Sequence, residues 1–278
     1  MMRTFSRWEI KYRLPVFWYY QVKNAFAPYM QPDKYTMLRS GRKYFVRSLY
    51  FDTYDYEAFH EKENGNYGRI KLRLRTYVQS SGPAAPIAAE IKTRKGSMVN
   101  KHSAFITYDE YKHFIEKGRW PHENSPILEE FGRLYHIRHL NPVTLVQYYR
   151  EGYRSKMGDN VRITFDHDVS SCAGRELFPE KMFLRPHHPG KIILEIKFSG
   201  EKPVWCMNLV RKLGLTAAAN SKYVQSVQAA RYDVVVPAAV DYDGYTQDRI
   251  FKNTGLNKEF SSRFRGRDLG VLDSGKDL

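Results

Sequence analysis

One segment, residues 69–77, constrains the fold more than any other part of the sequence. It reads Arg-Ile-Lys-Leu-Arg-Leu-Arg-Thr-Tyr, so basic and apolar residues alternate. Alternate side chains of a β-strand point to opposite faces of a sheet, so this strand would have one basic face and one apolar face. Neighbouring like charges ~7 Å apart on such a face repel by roughly 2 kcal/mol at an effective dielectric of ~20. Inside a protein, this basic face therefore needs water or anions beside it.

Charged residues also share one face in several other predicted strands, at residues 7–14, 88–95, 144–153, 161–166 and 191–198. A single strand of this kind is more often half-buried, with its charged face in water. Repetition favours another arrangement, because the opposite faces carry Ile91, Phe165 and Ile196, and helices predicted between the strands supply apolar stripes to cover them. The pattern predicts an α+β fold in which antiparallel strands close into a barrel with a basic interior and helices packed outside.

The charge balance indicates an anionic partner. The chain has 278 residues with 45 Lys and Arg against 30 Asp and Glu, which gives a formal charge of +15. Nucleic acid, a membrane surface and phosphate-rich molecules all fit this balance. No apolar run approaches the ~20 residues that a membrane span needs, and residues 1–13 contain no signal-peptide core. With only Cys172 and Cys206 present, we expect reduced thiols and a cytoplasmic protein.

A series of short motifs in a fixed order carries a resemblance to a known family. The motifs are Glu9-Ile10-Lys11-Tyr12, Arg47-Ser48-Leu49-Tyr50-Phe51-Asp52, Lys71-Leu72-Arg73-Leu74-Arg75-Thr76-Tyr77, Glu90-Ile91-Lys92-Thr93-Arg94, Tyr149-Arg150, Arg162-Ile163-Thr164-Phe165-Asp166, Leu194-Glu195-Ile196-Lys197 and Ser221-Lys222-Tyr223. Over about residues 7–233, the chain resembles the VTC-domain polyphosphate polymerases, relatives of the triphosphate tunnel metalloenzymes. The resemblance implies that the tunnel has eight antiparallel strands.

The resemblance also implies an activity and a set of site residues. A polymerase of this family transfers the γ-phosphate of ATP to a growing inorganic polyphosphate chain with the help of Mn²⁺ or Mg²⁺. Carried over by position, the main catalytic cations are Arg73, Arg75, Lys92, Lys197 and Lys222. Further phosphate-binding residues are Lys11, Arg94, Lys101, Arg150, Arg162 and Ser221. Glu195 is the main metal-ligand candidate, with Glu90, Glu9 and Asp166 as helpers. Inositol phosphates are a further anionic partner to consider.

Ser221-Lys222 also has a rationale of its own, because it is predicted to begin a helix. Unpaired N–H groups and the helix dipole attract phosphate at such a position. A plain helix cap with a solvated lysine explains the same residues equally well.

Other functions fit parts of the sequence. The hydrolytic relatives, the CYTH triphosphatases, open with Glu-x-Glu-x-Lys, whereas position 7 here is Arg. A triphosphatase is therefore the less favoured alternative. A binding module for polyphosphate or inositol phosphates would keep the basic residues and tolerate the loss of Glu195. A nucleic-acid partner is not expected, because no nucleic-acid-binding motif is recognisable.

The sequence also predicts domain boundaries. Residues 1–236 are expected to form the tunnel domain. Residues 237–278 have few apolar residues and are expected to form a C-terminal tail outside the core or partly disordered.

Overall fold

The computed structural model of the chain describes residues 7–96, 98–122 and 125–230. They belong to one compact unit that spans Met1–Val234. The predicted C-terminal tail, residues 237–278, lies outside the described residues. None of the helices within the described ranges combines the length and apolar character that crossing a bilayer requires.

The described strands form one antiparallel sheet. In chain order they are β1 (Arg7–Pro15), β2 (Met30–Pro32), β3 (Tyr44–Asp52), β4 (Gly68–Thr76), β5 (Ile87–Lys95), β6 (Met98–Ile106), β7 (Asn141–Ser155), β8 (Arg162–Ala173), β9 (Arg185–Pro186) and β10 (Lys191–Ser199). Eight long strands follow the order β1-β10-β8-β7-β3-β4-β5-β6, and the short strands β2 and β9 pair with β7 and β8.

The eight-stranded path predicted as a closed barrel is open at one place. Its end strands, β1 and β6, approach each other, but among the described residues no backbone pairing joins them. An ion pair between Lys92 on β5 and Glu9 on β1 spans the gap, with 3.4 Å between Nζ and Oε2. The α+β class and the antiparallel pairing are confirmed. Closure by hydrogen bonds was predicted wrongly, because side-chain charges meet where the last ladder would be.

Helices pack against both faces of the sheet. They are α1 (Tyr19–Phe26), which follows a short 3-10 helix (Val16–Trp18), α2 (Lys34–Met37), α3 (Glu57–Glu63), α4 (Tyr108–Lys117), α5 (Pro126–Ile137), α6 (Val204–Lys212) and α7 (Lys222–Ala230). Phe114 of α4 and Phe131 of α5 pack in one core with Leu72 and Leu74 of β4. A second core joins α1 and α6 to the apolar face of β1, β8 and β10.

A third core differs from the prediction because it lies on the same face as the charges. Tyr50 of β3 is opposite Arg73 in the strand register, so both side chains belong to one face. Tyr50 and Tyr148 pack there with Tyr223 and Val227 of α7. The tunnel face is therefore basic on one part and aromatic on another, and α7 packs against the aromatic part.

Candidate functional site

The first ion-pair group on the tunnel face surrounds Glu90 of β5. Arg73 Nε of β4 lies 2.6 Å from Glu90 Oε2, and Arg75 Nε lies 3.8 Å from the same oxygen. Lys101 Nζ of β6 lies 2.9 Å from the other oxygen, Oε1. Glu90 is buried, so the strands on either side of β5 contribute three cations to a carboxylate that water barely reaches.

The second group surrounds Glu9 of β1. Lys11 Nζ lies 3.1 Å from Glu9 Oε1, and Lys92 Nζ of β5 lies 3.4 Å from Oε2. Lys11 also donates to the backbone oxygen of Asn220, just before α7, over 2.7 Å. This group therefore joins the edge strand β1 to β5, the strand next to the opposite edge, and to the segment that leads into α7.

The third group contains two buried carboxylates, Asp166 of β8 and Glu195 of β10. Arg150 of β7 binds Asp166 in bidentate fashion, at 2.5 and 2.7 Å. Lys222 of α7 lies 2.5 Å from Asp166 Oδ2 and 3.0 Å from Glu195 Oε1. Lys197 lies 3.0 Å from Glu195 Oε2. Four elements thus meet at one buried network.

The cations keep these carboxylates ionised. Burial by itself would raise the pKa of Glu195, but Lys197, Lys222, Lys11 and Arg150 outweigh it and hold the pKa well below its usual range. Glu90 and Glu9 behave alike: burial opposes ionisation, and neighbouring cations lower the pKa of each carboxyl. The lysines respond less uniformly. Burial lowers the pKa of Lys92 to about 8, against the attraction of Glu9.

Basic side chains outnumber the carboxylates that they contact. Carboxylates at four positions, 9, 90, 166 and 195, meet eight basic side chains. Three of these, Arg75, Arg150 and Lys222, are buried, and water screens their charge poorly, whereas Lys101 is exposed. An anion with several charges would neutralise the surplus of positive charge. The eight cations are Lys11, Arg73, Arg75, Lys92, Lys101, Arg150, Lys197 and Lys222.

Tyrosine rings orient several of these cations, and they are absent from the residue set predicted for the site. Tyr50 accepts a hydrogen bond from Arg73 Nη1 over 3.0 Å. The ring of Tyr148 lies 5.1 Å from the guanidinium of Arg150 and 4.9 Å from Lys222 Nζ. Strand alternation placed Tyr148 on the charged face with Arg150, so that signal was present in the sequence.

Three residues predicted to bind phosphate do not join the ion-pair groups. Arg94 is exposed, and its Nε donates to the backbone oxygen of Gly96 over 2.7 Å. Arg162 is exposed and donates to Asp33 Oδ2 over 2.9 Å. Ser221 Oγ accepts a hydrogen bond from the backbone N–H of Val224 at 3.4 Å, as a helix cap does. The plain cap reading thus describes Ser221, whereas Lys222 is buried in the network and not solvated.

The four metal-ligand candidates do not form one cage. Among the described residues, no three His, Cys, Asp or Glu side chains gather as a cluster that could hold a metal ion. Glu90 belongs to a different ion-pair group from Glu195. Glu9 and Glu195 are closer, since their Oε1 atoms lie 3.1 and 3.8 Å from Lys11 Nζ. Two ionised carboxylates suit Mg²⁺ or Mn²⁺ when substrate phosphates provide the remaining ligands. The donors therefore fit a cation that arrives with its substrate.

The family comparison agrees with this geometry. The VTC domain family matches residues 6–231, which include all ten strands and all three ion-pair groups. The chain belongs to the VTC domain family. No curated protein sequence matches it significantly.

Solved structures show weaker similarity. A proposed adenylate cyclase from Bacillus halodurans is 15% identical, with 79% of this chain and 97% of that chain covered and a TM-score of 0.46. A protein from Pyrococcus horikoshii is also 15% identical, with 80% and 98% covered and a TM-score of 0.41. Both TM-scores lie below 0.5.

Proposed function

We propose that this VTC-domain chain is a metal-dependent polyphosphate polymerase that transfers the γ-phosphate of ATP to inorganic polyphosphate. The surplus of cations over carboxylates in the three ion-pair groups is the observation that carries the proposal. A triphosphate and a polyphosphate end bring many negative charges into a small volume, and this surplus is suited to neutralising them. Family membership supports the same class of ligand.

The proposed reaction needs no general base from the protein. A terminal phosphate oxygen of the polyphosphate chain forms a bond to the γ-phosphorus of ATP, the bond from the β–γ bridging oxygen to that phosphorus breaks, and ADP leaves. The attacking oxygen is already anionic, so no proton has to be removed. The residues therefore act by positioning the two polyanions and by stabilising charge, as in other phosphoryl transfers.

The three ion-pair groups would have different tasks. Arg150 and Arg73 offer planar donor pairs that suit bidentate contact with phosphate oxygens. Lys222, Lys197 and Lys11 surround Glu195 and would contact the triphosphate around that carboxylate. Mn²⁺ or Mg²⁺ bound to phosphate oxygens would add further neutralisation of charge when present.

Existing ion pairs must loosen when phosphate binds. Each carboxylate contacts cations that a phosphate would also attract. Before the substrate binds, the carboxylates therefore keep the arginines and lysines oriented. An ordered set of donors costs less to bring around the substrate than free side chains would, because less rotamer freedom is lost on binding.

Product analysis tests the proposal. The purified chain is incubated with ATP and Mn²⁺, and the products are separated by phosphate chain length on a gel. Long chains together with ADP, and their loss in Glu195→Gln, would establish the polymerase. Free phosphate as the sole product would indicate a triphosphatase. Tight polyphosphate binding without turnover would indicate a binding module and reject catalysis.

Four further properties are expected of the chain. They are the tunnel-domain boundary at residue 236, a cytoplasmic location, the absence of a nucleic-acid partner and the binding of inositol phosphates. An assay with inositol phosphates as competitors of polyphosphate binding would test the last of these.

A further inference from the structure

Two turns of the chain present large apolar side chains to solvent. The first is the 3-10 helix with the start of α1, where Phe17 is 76% exposed and Tyr20 is 69% exposed. The second is α2 with the residues after it, where Met37 is 65% exposed and Leu38 is 79% exposed. Apolar surface is driven out of water, so several such side chains exposed together indicate a contact surface. We name the exposed residues of segments 16–20 and 34–42 the aromatic-basic patch.

The charge of the patch has one sign. Between residues 16 and 43 the sequence has five Lys and Arg but a single acid, Asp33. Asp33 is buried and accepts a hydrogen bond from Arg162 Nη2 over 2.9 Å. Lys34, Arg39 and Arg42 are exposed. The two segments therefore present apolar and aromatic side chains beside cations, and they contain no carboxylate.

A series of side-chain contacts joins the two turns. Lys43, which follows the second turn, has its Nζ 3.4 Å from His167 Nδ1. The His167 ring lies 5.1 Å from the ring of Tyr19, which in turn lies 4.8 Å from the ring of Tyr20 in the first turn. The two turns are therefore neighbours and form one patch.

Buried contacts hold the second turn on the sheet. Asp33 Oδ1 accepts a hydrogen bond from the backbone N–H of Thr36 over 2.9 Å, and Thr36 Oγ1 accepts one from the backbone N–H of Gly152 of β7 over 2.8 Å. Gly152 permits this close approach, because a Cβ at this position would collide with the Asp33 carboxylate. The polar side of α2 is thus fixed to β7, and its apolar side chains remain in solvent.

The first turn is fixed by a carboxylate that the tunnel network does not use. Glu151 of β7 is buried on the face opposite that network. It accepts hydrogen bonds from Lys23 Nζ, over 2.7 Å, and from the Tyr19 hydroxyl, both of α1. The backbone N–H of Val16 donates to the Gly190 oxygen over 2.9 Å. The exposed aromatic side chains of this turn therefore stand on an anchored backbone.

We propose that the aromatic-basic patch docks the protein on the surface of a bilayer that contains anionic lipids. Trp and Tyr side chains favour the level of the lipid headgroups, and apolar side chains such as Phe17 and Leu38 reach the boundary of the acyl chains. The cations beside them attract anionic headgroups. A fluid lipid surface accepts side chains at any spacing, whereas a folded protein partner would need pockets that match two separate turns. This inference does not depend on the polymerase proposal.

Co-sedimentation with lipid vesicles tests the inference on the full chain and without turnover. Vesicles of phosphatidylcholine alone are compared with vesicles of phosphatidylcholine and phosphatidylglycerol. The variants are the double changes Phe17→Ser/Leu38→Ser and Arg39→Gln/Arg42→Gln, which remove the apolar and the basic part of the patch in turn. Thermal unfolding followed by circular dichroism checks that each variant is folded.

Matched controls are needed because the formal charge of +15 attracts an anionic surface from any side. Phe105→Ser/Phe183→Ser removes two other exposed rings, which are 78% and 88% exposed. Lys112→Gln/Lys117→Gln removes two exposed charges of α4. These controls change apolar surface and charge by the same kind of step but leave the patch intact.

We expect wild type to bind the vesicles with phosphatidylglycerol and not those of phosphatidylcholine alone. Each patch variant should weaken binding on the order of tenfold, and each control by less than about twofold. Lipids with brominated acyl chains should quench the tryptophan fluorescence of wild type more than that of Trp18→Phe, because Trp18 belongs to the patch.

Three results would overturn the inference. The first is that wild type does not bind the anionic vesicles. The second is that Phe17→Ser/Leu38→Ser binds them as its control does, since binding would then reflect general charge attraction. The third is a concentration-dependent dimer in sedimentation velocity that the same variant abolishes, which would assign the patch to a second copy of the chain.

Discussion

Lys222 and Glu195 join helix α7 to strand β10 inside the sheet, with 3.0 Å between Nζ and Oε1. Burial lowers the pKa of Lys222, but Asp166 and Glu195 outweigh that effect, so the pKa is raised and the ammonium stays charged. The position of α7 on the sheet thus depends on the same charged side chains that would bind phosphate. Mutations in this network should therefore change stability and ligand response together.

Asp166→Asn should destabilise the protein and be rescued in part by ligand. The change leaves Arg150 and Lys222 buried with less negative charge, and breaking a buried pair costs about 3–5 kcal/mol. Polyphosphate would supply the missing charge. Urea unfolding with and without polyphosphate measures both effects. Asp109→Asn breaks an exposed pair and should cost less than about 1 kcal/mol. Equal losses in the two variants would contradict the buried network.

Arg73→Met and Lys71→Met should have opposite effects on stability, although both residues belong to the basic face of β4. Arg73 binds Glu90 at 2.6 Å, so its removal weakens the compensation of a buried carboxylate. Lys71 has no such partner among the residues that the structure describes, so Lys71→Met should leave the melting temperature unchanged or raise it. A marked drop for Lys71→Met would contradict its assignment as an uncompensated cation.

The advantage of Lys71→Met should depend on pH. The pKa of Lys71 is lowered from 10.5 to about 7 on folding, so between these values the unfolded chain binds one more proton at this residue. Wild-type stability should then rise with pH through that window relative to the variant. Unfolding free energies measured at several pH values in both proteins would show the two curves converging towards high pH. Parallel curves would mean that burial does not shift this lysine.

Glu195→Gln should lower phosphoryl transfer on the order of 100-fold while keeping the shape of the site. The amide retains an oxygen but loses the charge that holds Lys197 and Lys222 and that would help to bind a divalent cation. Titrating activity with Mn²⁺ at fixed ATP measures whether the requirement for metal rises. Glu130→Gln, from an exposed pair with Arg133, is the matched control and should be unchanged. Full activity of Glu195→Gln would reject its role at the metal.

The sequence predicts the faces of the strands well because alternation is a local property. Residues 69–77 were expected to form a strand, and the strand is Gly68–Thr76 with Lys71, Arg73 and Arg75 on one face. The pairing of each cation with a carboxylate, by contrast, is not determined by local sequence. Arg73 finds Glu90 on the neighbouring strand, whereas the partner of Lys92 is Glu9 from the other edge of the sheet. That contact depends on the curvature of the whole sheet, which cannot be predicted from any short segment of the sequence.

Competing local signals explain other differences. Thr53 is of a residue type that often caps helices, but α3 begins at Glu57 with Tyr56 as its cap residue. Asp52 accepts hydrogen bonds from Ala58 and Phe59, so the preceding carboxylate caps a later turn. The strands Met30–Pro32 and Arg185–Pro186 are too short to show alternation, and they form because a neighbouring strand offers free backbone groups.

The pH dependence of activity should show an alkaline limb that comes from lysines. Burial lowers the pKa of Lys92 to about 8, so raising the pH through this value removes a cation that would bind phosphate, and kcat/KM should fall. Glu9, Glu90 and Glu195 have pKa values held below the ordinary value of 4.5, so they stay ionised and contribute no limb near neutrality. Lys92→Arg keeps its charge at all these pH values and should move the limb upward. Because kcat/KM reports the free enzyme, a profile of Lys92→Arg that coincides with wild type would mean that Lys92 does not bind the substrate as a cation.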